Sequence, residues 1–130
     1  MKHNLKKPCH ECPYIGDVPG WIGAHRDAEE FVVLAKQDMP FPCHMTVDYT
    51  DPEWERKAAN DEFEQCVGQL AFMNKLLKRS REPEIAAHQD RVRADKTIQV
   101  LWPPEHLVAV HRAGFIKGLK LRDAKRAEQK

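Results

Sequence analysis

Apolar residues recur at steps of three and four through much of the first half of the chain, and that period predicts helices. Asp27 followed by Glu30 makes a capping-type start, and Phe31, Leu34 and Ala35 continue at helical spacing to about Lys36. The stretch Asp38-Met39-Pro40-Phe41-Pro42-Cys43 ends that helix, because two prolines two apart cannot continue it. Thr50-Asp51-Pro52-Glu53 reads as a second helix start, with proline in the first turn. A longer helix is expected from Asp61 to about Arg79, with Phe63, Cys66, Val67, Leu70, Met73 and Leu77 on its apolar face. Gly68 is out of place inside it, where glycine costs about 1 kcal/mol against alanine. A close backbone approach by a cofactor or by the loop around Trp21 would explain it.

The second half is less strongly patterned. Glu84 to about Lys96 has helix-forming composition but only Ile85, Ala86 and Val92 as core contacts, so it reads as a polar helix or a connecting arm. Thr97 to Trp102 is a short strand or an extended docking segment. Pro103-Pro104-Glu105 starts a helix through about Arg112, with Gly114 as its stop. Ile116 to Lys130 reads as a frayed basic helix. The expected fold is therefore mainly α, a small domain of four or five helices. Residues 1–80 would form a cysteine-ligated module and residues 81–130 a basic helical extension, within one compact domain. Pro8-Cys9-His10 and Pro42-Cys43-His44 match, but three residues are too few to argue duplication.

Length and composition narrow this further. A chain of 130 residues, 42% hydrophobic and 32% charged, supports one modest core. Mean hydropathy is −0.67, and the sequence has no apolar run of the length a membrane span needs. The first seven residues, Met1 to Lys7, lack the apolar stretch of a secretory signal, which gives a cytoplasmic expectation. The net charge of +1 conceals an asymmetry. Residues 27–64 carry eleven acids against three bases, and residues 75–130 carry fourteen bases against seven acids. Such a division points to an acidic or nucleic-acid partner for the basic part, or to pairing between the two parts.

Four cysteines supply the candidate chemistry. In a reducing compartment they serve more often as metal ligands or packing thiols than as disulfides. Cys9 and Cys12 form Cys-His-Glu-Cys followed by Pro13, and the turn between them exposes backbone N–H groups toward the sulfurs. Cys43 lies in a proline-rigid loop and Cys66 on a helix face, so the fold must bring the four together. One Cys-x-x-Cys pair and two distant singles make an atypical zinc site. Dispersed cysteines, one of them followed by proline, are familiar in iron–sulfur proteins. A [4Fe-4S] cluster on Cys9, Cys12, Cys43 and Cys66 is the first expectation and zinc the alternative, with His44 as reserve ligand. The blander reading is a redox pair plus an inert core thiol at Cys66. The other histidines, including His106 and His111, show no metal-ligand spacing.

Cys9-x-x-Cys12-Pro13, Pro19-Gly20-Trp21-x-Gly23, Pro42-Cys43-His44-x-Thr46 and Cys66-x-Gly68 resemble a group of small, uncharacterised bacteriophage proteins with dispersed cysteines, over roughly residues 8–80. The resemblance implies one cofactor site in a phage-encoded protein and supplies no activity. The ligand order is also similar to that of the iron–sulfur uracil-DNA glycosylases, whose catalytic and uracil-pocket motifs are missing.

No nucleophile–base arrangement, phosphate-cradling glycine loop or His-Glu-x-x-His stands out. Asp48, Asp51, Glu53 and Glu55 form an acidic stretch that is ordinary for a loop and a helix start. Binding has more support than catalysis. Lys75, Lys78, Arg79, Arg81, Arg91 and Arg93, then Lys117, Lys120 and Arg122 on the tail, are candidate phosphate contacts, against the bland reading of a solvated face. Three functions follow as expectations. The first is a phage regulatory protein that binds nucleic acid or the host transcription machinery. The second is an inhibitor of a host nucleic-acid enzyme or defence protein acting through the acidic stretch, and the third a small redox enzyme.

Overall fold

The computed structural model describes residues 1–16, 27–47, 50–59 and 62–128. Among the described residues five helices follow one another: α1 (Glu29–Lys36), α2 (Trp54–Ala59), α3 (Val67–Lys75), α4 (Pro83–Ala94) and α5 (Pro104–Glu128). A 3-10 turn, His44–Thr46, lies between α1 and α2. The mainly helical expectation is met. Among the described residues, extended pairing is confined to two isolated bridges, Lys2 with Glu64 and Pro42 with Gln65.

The core is built on α3, whose residues from Val67 to Met73 are all buried. α1 contributes Phe31, Val32 and Ala35, α4 contributes Ile85 and Val92, and α5 contributes Leu107 to the same cluster. Tyr14 stands fully buried at its centre, edge-on to Phe31 at 5.8 Å between ring centroids, and its hydroxyl donates to the Phe31 carbonyl at 2.7 Å. Burying an aromatic body with its polar tip satisfied is the arrangement that makes a central tyrosine affordable.

Several boundaries differ from the sequence reading. The long helix begins at Val67, not near residue 61, because residues 63–65 are drawn out to pair with other segments. Lys2 N–H donates to the Phe63 carbonyl, Cys43 N–H to Glu64, and Cys66 N–H to Phe41. Phe63, Cys66, Val67, Leu70 and Met73 are buried as the periodicity requires. Leu77 is not: it lies past the helix end with φ of 58° and is 92% exposed. α4 is no loose arm. It packs on α3, and it buries His88 and Gln89 besides the three apolar residues. α5 runs through Gly114 to Glu128, because one glycine costs a helix only about 1 kcal/mol when good helix formers flank it. The N-cap position of α1 falls on Ala28, and the Asp27 carboxylate pairs with Arg112 at 3.1 Å while drawing the backbone N–H groups of Ala28 and Glu29.

Candidate metal centre

Local backbone pairing sets the cysteines. The Cys9–Cys12 segment is a tight turn in which Cys12 N–H donates to the Cys9 carbonyl, and the Cys12 carbonyl accepts from Ile15 and Gly16. Pro13 carries on the turn, and its carbonyl accepts a 2.6 Å hydrogen bond from His111 Nε2 of α5. His111, which its spacing left without a role, therefore clamps the cysteine turn from a position 98 residues away.

Cys43 and Cys66 sit on paired strands of backbone. The Pro42–Gln65 bridge lies between the two hydrogen bonds that Cys43 and Cys66 themselves donate. Buried Gln65 and Gln69 hold that pairing together. Gln65 Nε2 donates to the carbonyls of Phe41 and Cys66, and Gln69 Nε2 donates to Met39. Thr46 closes the loop by donating its hydroxyl to the Cys43 carbonyl at 2.7 Å.

All four cysteines are reduced, with Cys12, Cys43 and Cys66 buried and Cys9 half-buried. The Sγ atoms of Cys12 and Cys66 are 3.6 Å apart. Cys66 keeps its proton, because its hydrogen bond to Cys12 and its full burial both push the thiol up. Cys12 is pulled down by that donated bond and, against the cost of burial, by the backbone N–H groups of Tyr14, Ile15 and Gly68. This is the surround of a stabilised thiolate, at the N-terminus of α3 where unpaired N–H groups favour negative charge. Cys9 is pushed up to about 12, by burial first and by the neighbouring thiols of Cys43 and Cys12. Those neighbours, together with the influence of Cys12 and Cys43 on Cys66, put all four sulfurs in one electrostatic neighbourhood.

Gly68 is explained by that surround. A Cβ placed on it would stand 2.1 Å from Cys12 Sγ, inside any permitted contact. The close approach expected at this glycine is thus made by a cysteine sulfur. The Trp21 loop, the other candidate for it, lies outside the described residues, as does Asp48.

The donor set suits a soft metal or an iron–sulfur cluster: four sulfurs, N–H donors to offset thiolate charge, and an aromatic shell of Tyr14, Phe31, Phe41 and Phe72. The separation of Cys12 and Cys66 is close to the ~3.8 Å that two thiolates about 2.3 Å from one tetrahedral ion must have. Among the described residues, no three His, Cys, Asp or Glu side chains close around a single ion. His44 supplies the first residue of the turn after Cys43.

The basic candidates divide into paired and free. Arg79 makes two hydrogen bonds to Asp90, at 2.8 and 3.1 Å, and Arg93 reaches Asp90 at 3.8 Å. Arg81 is held by Asp38, through its backbone N–H at 2.8 Å and its guanidinium at 3.7 Å. Arg91 donates to the His3 carbonyl. Lys75, Lys78, Lys117, Lys120 and Arg122 make no ion pair among the described residues, and the last three project from the exposed far half of α5. Of the acidic stretch, Asp51 is committed to Lys57 and Glu53 to Arg56, each at 2.6 Å. Comparison of the chain with family models, with curated proteins and with solved structures finds no match. No helix among the described residues is long and apolar enough to cross a membrane.

Proposed function

We propose that this is a phage-encoded regulatory protein in which Cys9, Cys12, Cys43 and Cys66 hold an iron–sulfur cluster, and whose basic surface binds nucleic acid or the host transcription machinery in the cytoplasm. One observation carries the cofactor reading: Cys12 Sγ occupies the space of a missing Gly68 Cβ and draws three backbone N–H groups, with Cys66 Sγ 3.6 Å away. An inert packing thiol has no need of such donors, whereas a ligating thiolate does. When bound, a cluster would tie the N-terminal turn, the Cys43 loop and α3 together and supply one-electron redox chemistry.

Zinc is the second reading, favoured by the 3.6 Å between Cys12 and Cys66, since cysteines on different irons of a cubane stand farther apart. Regulation by binding is preferred to catalysis because three of the four cysteines are buried, and the cations without ion pairs among the described residues lie elsewhere on the surface. The acidic-inhibitor reading has less support, since Asp51 and Glu53 already have cationic partners. Anaerobic purification with metal and acid-labile sulfide analysis tests the cofactor. Brown protein with about four irons is expected; colourless protein with one zinc replaces the cluster by zinc. Cys66→Ser should release either one, and full retention would show Cys66 to be a packing residue only.

A further inference from the structure

An open groove of about 660 Å³ lies between the C-terminal ends of α3 and α4 and the extended segment that follows. That volume is within the range of about 300–1,000 Å³ usual for ligand sites. Its apolar lining is Ala71, Leu77, Val92, Ile98, Val100 and the ring of Trp102. Trp102 is 37% exposed, with its ring edge-packed on Phe72 at 5.5 Å between centroids. Three cations, Lys75, Arg93 and Lys96, stand on the same groove, all exposed. Lys75 and Lys96 have no carboxylate partner among the described residues. Asp95, the carboxylate in the lining, is already taken by Lys7 and Thr97, and Lys7 holds it down at about 2.

We propose that this groove is a binding site for single-stranded nucleic acid, with a base stacked on Trp102 and the backbone phosphates held by Lys75, Lys96 and Arg93. The proposal rests on the nucleic-acid reading above and gives it a place and a ligand class. A partly exposed indole beside exposed cations, two of them without a carboxylate partner among the described residues, is the combination that single strands use, since every base has a stacking face and every phosphate a charge. Duplex DNA presents no free base face to a tryptophan. A free mononucleotide would call for a closed pocket with a buried polar anchor, and here all three cations are exposed. Gln99 in the lining offers hydrogen bonds to a base edge, whereas the Asn74 amide is already bonded to Gln89 and Arg93. The groove is also attached to the cysteine turn: Leu101 N–H, beside Trp102, donates to the Tyr14 carbonyl at 2.8 Å, and Tyr14 N–H faces Cys12 Sγ.

Fluorescence anisotropy of a labelled ten-residue oligothymidylate against the full-length protein at low salt provides the test. Trp102→Ala should weaken binding about tenfold or more. Trp102→Phe, which keeps an aromatic face and the Phe72 contact, should recover most of it. Lys75→Gln and Lys96→Gln should each reduce the slope of log affinity against log salt by about 0.7. If the oligonucleotide binds but ignores all of these variants, the groove is wrong while the nucleic-acid reading stands. The same division follows if only duplex binds. Equal affinity for thymidine monophosphate would overturn the strand assignment. If neither strand form binds but polyglutamate does, both the groove's ligand and the nucleic-acid reading fall.

Discussion

The Sγ of Cys12 stands 2.1 Å from where a Cβ on Gly68 would be, so the residue 56 positions later must be glycine for the sulfur to reach the N-terminus of α3. Tyr14 Cβ, at 3.3 Å, crowds the same point. Gly68→Ala should therefore displace Cys12, at a cost of about 1–3 kcal/mol from overpacking. Thermal unfolding should show the loss, and metal content should fall with it. An alanine variant with wild-type stability and full metal content would show that Cys12 does not need this seat.

Acid should weaken the attachment of the N-terminal segment to α4. His88 Nε2 donates to the Leu5 carbonyl at 2.8 Å, which leaves Nδ1 to accept from His3 Nδ1 at 3.0 Å. Burial lowers His88, with His3 and Arg91 adding to it against Leu5 and Glu64. His3 is lowered by its own burial, then by the N-terminal charge and Arg91, against Glu84 and Glu64. The unfolded chain binds these protons first as pH falls through about 6.5, so the contribution of the pair is complete above that value and is lost below it. The melting temperature should drop between pH 7.5 and 5.5, and the drop should shrink in His88→Gln. An unchanged pH profile in that variant would remove the histidines from the account.

The two halves of α5 should respond differently to truncated side chains. Leu107 is fully buried in the common core, and Leu107→Ala is expected to cost about 2–5 kcal/mol. Leu121 is 58% exposed, and Leu121→Ala should change stability by less than about 0.5 kcal/mol. Denaturant titration of both variants decides this. Comparable losses would mean that the far half of the helix is packed against something.

These examples also show how far the sequence could be read. Helical periodicity found the buried face from Phe63 to Met73, since a 3.6-residue repeat reports burial directly. It misplaced the start of α3, because residues 63–65 are drawn out by pairing with Lys2 and Pro42, and that partnership leaves no local period. Gly114 was expected to end a helix on its residue type alone, yet α5 continues through it. The cysteines were legible by chemistry, and Gly68 by its misfit with a helix interior. The roles of His88 and His111 were not. Each depends on a carbonyl 83 or 98 positions away, and no spacing rule reaches that far. The Trp102 groove was hidden similarly, since its lining combines α3, α4 and the extended segment.

The most direct test of the central claim is X-ray absorption spectroscopy of the anaerobically purified protein at the edge of whichever metal it carries. An iron centre with an all-sulfur first shell at about 2.3 Å and a short iron–iron scattering path is the predicted result, and the signal should disappear in Cys66→Ser. A zinc shell of four sulfurs would keep the four-cysteine site and replace its occupant. Folded protein that carries no metal, or a metal held mainly by nitrogen and oxygen, would contradict the claim that Cys9, Cys12, Cys43 and Cys66 form one centre.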